Sequence, residues 1–258
     1  MIVSRQNQKI KDIRRLRRCK GDRTVLEGLH LVREALQAGF VPESLLATDE
    51  FLGTDEGREL LSSSMLPITM VTPDLIEYLS DADSPRGVMG VFSLPRGTLD
   101  SVPVVDDGLY LFVDGLQDPG NLGALVRVAE AFAVTAVVLA PGSVHPNHPR
   151  SLRASAGSLL RMGVFTGAKA ADLSSHLAAA RPVWLALAPR DGVPPGDLEV
   201  DGGIVLAVGA EGPGLSDEVL RLARTRVTIP LAGQVESLNS TVAAAIALHA
   251  IRAAKPSD

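Results

Sequence analysis

Five polar side chains sit where apolar runs of the sequence end: Asn121 and Arg127 in DPGNLGALVRVAEAF, Glu211 in VGAEGPGLS, and Ser237 and Asn239 in IPLAGQVESLNST. Arg127 falls two turns into a helical pattern whose neighbours Leu122, Leu125, Val126, Val128 and Phe132 are apolar. An arginine there needs either a carboxylate such as Glu130 or a task. Asn121 either caps the helix or contacts a ligand. Glu211 lies in a turn with Gly209, Gly212, Pro213 and Gly214, where it either bonds turn amides or faces a ligand that the glycines allow close to the backbone. The glycine spacing is neither G-x-G-x-x-G nor a P-loop, which disfavours nicotinamide and nucleoside triphosphate. Around the third loop, Ile229, Leu231 and Leu238 bracket residues that otherwise read as solvent-facing. An apolar slot with free backbone amides and carbonyls is what an adenine ring needs. Ser237 and Asn239 straddle the start of the next helix, so one of them is expected to cap it.

The elements that must position these groups read as α/β. The runs LYLFVDG, VTAVVLA, VWLALA and GIVLAVG are apolar on both faces, as strands of a covered parallel sheet are. Loops at the carboxyl edge of such a sheet bind ligands. A helix is expected from around Asn121, Ser216 with Asp217 and Glu218 begins another, and Pro230 takes the chain out of the sheet. The last helix, Leu238 to about Ala254, is rich in alanine, which suits deep packing combined with a subunit interface. The first half alternates more briefly. Strands are expected at 24–27, 44–48, 68–71 and 87–94, with helices at 29–38, near 56–63 and from Thr72-Pro73-Asp74. PRGTLDSVPVVDDG reads as a linker, so the domains are expected at 1–95 and 107–258, joined by 96–106.

Net charge is −5, but residues 1–23 hold nine Lys or Arg against Asp12 and Asp22. Ile10, Ile13 and Leu16 recur at helical spacing between a cap at Asn7 and a stop at Gly21, which makes an amphipathic basic helix. Its cations, Arg14, Arg15 and Arg18 among them, form either a solvated face or a footprint for a phosphate backbone. With 46% apolar residues the chain can fill a core, and the start lacks the apolar stretch of a secretory signal. No run approaches the ~20 apolar residues of a membrane span. A cytoplasmic location is expected. Cys19 reads as an ordinary small side chain, and His145 with His148, set among prolines without a third ligand, as a loop rather than a metal site.

Together DPGNLGALVRVA, VGAEGPGLS and IPLAGQVESLNSTVAAA resemble, in order and approximate spacing, the three motifs of the SpoU (TrmH) family of the SPOUT methyltransferases, over most of residues 109–254. The N-terminal half is more loosely similar to the substrate-binding domain of ribosomal RNA members, through Asn7 to Lys11 and VLEGLHLVREAL. The resemblance implies a C-terminal parallel-sheet domain with a deep trefoil knot, preceded by a small α/β RNA-binding domain. It also implies a homodimer with its active site near the subunit boundary. S-adenosylmethionine would be the methyl donor and a ribose 2′-hydroxyl of structured RNA the acceptor, ribosomal rather than transfer RNA. Gly209, Ala210, Gly212, Ile229, Leu231 and Leu238 are implied to line the cofactor pocket, and Asn121, Arg127, Glu211, Ser237 and Asn239 to match active-site positions. Arg150, Arg153 and Ser155, in HPNHPRSLRASAG, are implied to contact phosphate. The family's arginine is commonly assigned as the base. A guanidinium with a pKa above ~12 is a poor proton acceptor, so Arg127 is better suited to gripping a phosphate and stabilising alkoxide charge. Two positions depart from the family pattern: Ala210 stands where Asn or Ser is frequent, and Ser240 where Val is frequent. A non-catalytic RNA-binding or ribosome-assembly factor, or a base-nitrogen or transfer-RNA methyltransferase, are the alternatives on the same fold.

Overall fold

The computed structural model describes residues 1–17, 21–63, 68–82, 84–199 and 201–254. Arg18 and Cys19 lie outside them. In chain order the elements are α1 (Gln8–Leu16), β1 (Arg23–Glu27), α2 (Leu29–Gln37), β2 (Pro42–Ala47), α3 (Asp49–Leu52), α4 (Asp55–Ser63), β3 (Ile68–Met70), α5 (Pro73–Leu79) and β4 (Val88–Ser93). There follow β5 (Leu109–Asp114), α6 (Pro119–Ala131), β6 (Ala136–Leu139), α7 (Pro149–Ala154), α8 (Ser158–Arg161), β7 (Val164–Thr166) and α9 (Ala170–His176). The chain continues through β8 (Val183–Leu187), β9 (Ile204–Gly209), α10 (Asp217–Leu222), β10 (Thr225–Val227) and α11 (Ser240–Ala254).

Two compact units result. The first joins Met1–Pro95 to Asn147–Arg161, so α7 and α8 return to the N-terminal fold from within the second half of the sequence. Asn147 anchors that return: its Nδ2 donates to Leu94 O at 2.8 Å, and its carbonyl accepts from Thr24 Oγ1 at 2.9 Å. The sheet of this unit has the order β1-β4-β2-β3, with β4 antiparallel to both neighbours. Ile10 and Ile13 of α1 enter its core, as their spacing required. The Asn7 side chain caps the helix through Lys9 N at 2.9 Å; α1 is described to Leu16, and the stretch before the stop expected at Gly21 includes residues 18–20, which lie outside the described residues. Arg17, just past Leu16, is drawn inward to Glu27 at 3.2 Å and to Asp81 at 2.5 Å, with Arg153 Nη1 3.6 Å from the same Glu27 oxygen. Ser80 Oγ also donates to Glu27. A buried carboxylate shared by several donors is tolerated because its charge is matched and its oxygens are bonded.

The second unit, Arg96–Pro146 with Met162–Asp258, is built on a six-stranded, wholly parallel sheet of order β10-β8-β9-β5-β6-β7. The continuous apolar runs fill it: Phe112 meets Trp184 at 5.5 Å between ring centroids, and Tyr110, Val138, Val205 and Ala207 share their cluster. Tyr110 is buried, and desolvation raises its pKa. Its hydroxyl donates to Pro103 O and accepts from Val105 N, both at 2.9 Å, which fastens the connecting segment to the sheet. Strand order divides around β5: β6 and β7 extend to one side, β9, β8 and β10 to the other, with β9 inserted between β5 and the earlier β8.

Candidate active site

Asp114, the last residue of β5, pairs in register with Gly209, the last of β9, so the loops that follow leave the sheet side by side at the point where strand order divides. Asp114 Oδ2 ties them by accepting from Ser216 N at 2.7 Å. Asp118, not Asn121, caps α6: it accepts from Asn121 N at 2.8 Å, and Pro119 takes the first helical position. The helix starts two residues earlier than around Asn121, and the Asn121 carboxamide is released for another purpose.

In the second loop, Ala210 and Gly214 exchange backbone hydrogen bonds of 3.2 and 3.1 Å. A Cβ on Gly209 would fall 2.3 Å from the Gly214 carbonyl carbon, so this glycine is required by the turn's own backbone rather than only by a ligand. The tight turn projects Glu211. From the third loop, Asn239 performs two tasks with one side chain. Its Oδ1 caps α11 through Thr241 N at 2.9 Å, while Nδ2 donates to Glu211 Oε1 at 2.9 Å and to Asn121 Oδ1 at 3.1 Å. Asn121 Nδ2 donates to the same Glu211 oxygen at 2.6 Å, and Thr241 Oγ1 to the Asn121 carbonyl at 3.1 Å. Three loops therefore converge on one carboxylate held by amides, with no ion pair or bond to Oε2 among the described residues.

Beside this cluster lies a cleft of about 210 Å³, sized for a small molecule rather than a nucleic-acid strand. Gly209, Ala210, Gly212, Ile229, Leu231 and Leu238 are all in its wall, with Glu211 and Ser237. So are Leu187, Ala188 and Pro189, just past β8, which sequence reasoning did not single out. The available signal was that VWLALAP is another parallel strand, whose carboxyl end shares the same edge. Arg127 is not in the wall. It is exposed on α6 and, among the described residues, forms no hydrogen bond or ion pair, with Glu130 or otherwise. The polar network is also exposed, as are residues 231–237 and the α11 side chains Val242 and Ile246, at 48% and 40%.

In the first unit, Arg14 and Arg15 are exposed, and the Arg14 and Arg5 guanidiniums lie 4.2 and 4.6 Å from the Tyr78 ring centroid. Arg150 is exposed at the start of α7, whose cap is His148: Nδ1 accepts from Arg150 N at 3.1 Å. Arg153 turns to Glu27. Ser155 is 0% exposed and donates to Leu152 O at 2.9 Å, so its hydroxyl belongs to the helix junction and offers phosphate no contact. Among the described residues no group of three His, Cys, Asp or Glu is placed to hold a metal ion, and no helix is long and apolar enough to cross a membrane.

This arrangement has known counterparts. Residues 108–249 match the SpoU rRNA Methylase family and residues 7–90 the MRM3-like substrate binding domain. The chain is 31% identical to the 23S rRNA (guanosine(2553)-2′-O)-methyltransferase RlmP of Bacillus subtilis, over 97% of this chain and 98% of that one. It is 28% identical to the 23S rRNA (uridine(2479)-2′-O)-methyltransferase of Streptomyces viridochromogenes, covering 92% and 85%. An AdoMet-bound rRNA methyltransferase from Sinorhizobium meliloti superposes with a TM-score of 0.86 at 26% identity, covering 99% and 98%. With the motif residues gathered at one sheet edge and the match running through both units, the chain belongs to the SpoU rRNA methylase family.

Proposed function

We propose that this protein is a cytoplasmic enzyme that transfers a methyl group from S-adenosylmethionine to a ribose 2′-hydroxyl of large-subunit ribosomal RNA. The observation that carries this reading is the convergence of Asn121, Glu211 and Asn239 on one another at the mouth of a small-molecule cleft. The cleft fits the donor. Ile229, Leu231 and Leu238 offer apolar faces to a flat heterocycle, the glycine-rich turn leaves backbone groups within reach of its edges, and Glu211 supplies a negative charge beside a cationic ligand. When bound, the donor supplies an electrophilic methyl on a sulfonium; the residues of the chain do the positioning.

Aligning a weakly acidic hydroxyl behind that methyl is an entropic task, and well-oriented groups lower such barriers substantially. Asn121 and Asn239 fix Glu211 from two sides, so the loop that carries it need not reorganise during reaction. Arg127, held without a carboxylate partner, grips the phosphate next to the target ribose and stabilises alkoxide charge as the 2′-proton leaves to water or that phosphate. Arg127 does not line the cleft of its own chain, and in this reading it reaches the cleft of a partner subunit. The exposed apolar face of α11, with Val242 and Ile246 on the helix that packs against α6, supports the dimer this requires. The expected knot lies in the stretch from β9 to α11, the helix that packs on α6. The first unit holds RNA through Arg14, Arg15 and Arg150, with Arg5 and Arg14 sharing the Tyr78 ring.

The test is methyl transfer from labelled S-adenosylmethionine to ribosomal RNA from cells lacking the gene, followed by alkaline hydrolysis. A labelled, alkali-resistant dinucleotide is expected, since a methylated 2′-oxygen cannot attack its phosphodiester. Label on a base, or none at all, defeats the proposal. Mixing Arg127→Ala protein with a Gly209→Ala variant tests the shared site: activity above that of either variant alone is expected only if the arginine acts across subunits.

A further inference from the structure

We propose that Ser240 is a positioning residue for the methyl donor, its hydroxyl gaining a hydrogen bond only when the cleft is filled; this rests on the donor-binding reading of the cleft. Ser240 is the first residue of α11 and stands in the cleft wall between Leu238 and Ala243. Its Oγ is shut off from solvent and, among the described residues, has no hydrogen-bond partner. The residues on either side are fully engaged: Asn239 with Thr241 N, Asn121 and Glu211, and Thr241 with the Asn121 carbonyl. The orphan is therefore not the product of a loosely built loop.

Buried hydroxyls are nearly always bonded, and one that is not destabilises the fold around it. Alanine or valine would occupy this place with no such cost. A serine has a single side-chain torsion with three staggered wells, so one rotation exchanges the shielded position for one facing the cleft its residue already lines. Its neighbours in the wall include the apolar Leu187, Ala188, Ile229 and Ala243, with Glu211 and Ser237 as the wall's other polar side chains. In such a wall a hydroxyl placed among apolar side chains, able both to donate and to accept, helps set the orientation of a flat ligand by pairing with a polar edge of its nucleoside part. The unsatisfied hydroxyl of the free state gains its partner on binding.

Calorimetric binding of S-adenosylmethionine and S-adenosylhomocysteine to the full-length protein, alongside melting temperatures of the free protein, tests this with Ser240→Ala and Ser240→Val. Both variants should bind about tenfold more weakly, the change expected for one lost hydrogen bond. Their free-state melting temperatures should equal or exceed that of the unaltered protein, an opposition of signs that a purely structural serine would not produce. Undiminished affinity in both variants, or a lowered free-state melting temperature, overturns the assignment. If the unaltered protein binds neither compound, the reading of the cleft falls and this proposal falls with it. Binding by the unaltered protein with no loss in the variants removes Ser240 alone.

Discussion

The two units treat charge in opposite ways. In the first, Arg17, Arg23, Arg33, Arg58, Arg153 and Arg161 each face a carboxylate, while Arg5, Lys9, Lys11, Arg14 and Arg15 face none among the described residues. In the second, the groups at the site face no opposite charge among the described residues: Glu211 is held by two amides, and Arg127 has no carboxylate partner. Pairing thus marks what holds the fold, and unpaired charge marks where a partner is expected. On one unit the unpaired charge is diffuse and suited to a polyanion; on the other it is placed residue by residue for chemistry.

Four measurements would break or sharpen this contrast. The largest effect belongs to the buried pairing: Glu27→Ala should cost about 3–5 kcal/mol in urea unfolding, because Arg17, 6% exposed, would lose its buried partner. A loss below about 1 kcal/mol would mean the pairing does not hold the unit together. Next, Arg127→Ala should lower kcat under saturating RNA by about 10²–10³ while melting like the parent, comparable to losing a charge-stabilising donor. Lysine at this position should rescue little, since it lacks the planar fork. A near-normal kcat would show that its lack of a partner has no catalytic meaning. Third, the double change Arg14→Ala with Arg15→Ala should leave kcat alone, weaken RNA binding and reduce the slope of log K against log salt by about 2. An unchanged slope would make this a solvated helix face. The smallest effect should come from Tyr78→Leu, which removes the ring beneath Arg5 and Arg14 and so about 0.5–1 kcal/mol of cation–π attraction, read as a few-fold loss in RNA affinity.

Much of the site was legible because its signals are local. LYLFVD and IVLAVG declare buried parallel strands by their unbroken apolarity, and the polar turns that follow must lie at the carboxyl edge. The six residues expected around the cofactor line a single cleft for that reason. What stayed hidden depended on distant partners. Asp118 rather than Asn121 caps α6, a choice between two good caps that sequence alone cannot weigh. Ser155 looks like any polar loop residue until α7 and α8 are seen to fold back on the first unit and bury it. The inward turn of Arg17 likewise depends on Glu27 and Asp81, which lie farther along the chain.

The amino-acid sequence by itself determined the α/β class, the basic helix, the three loops and the residue types they carry, since period and turn chemistry are properties of short stretches. Only the tertiary structure decided that β9 enters beside β5, and hence that residues 121, 211 and 239 share one oxygen, with Ser240 left unbonded beside them. Strand order and side-chain pairing are settled by contacts between segments far apart in the chain, whose free energies exist only once the sheet has closed around them.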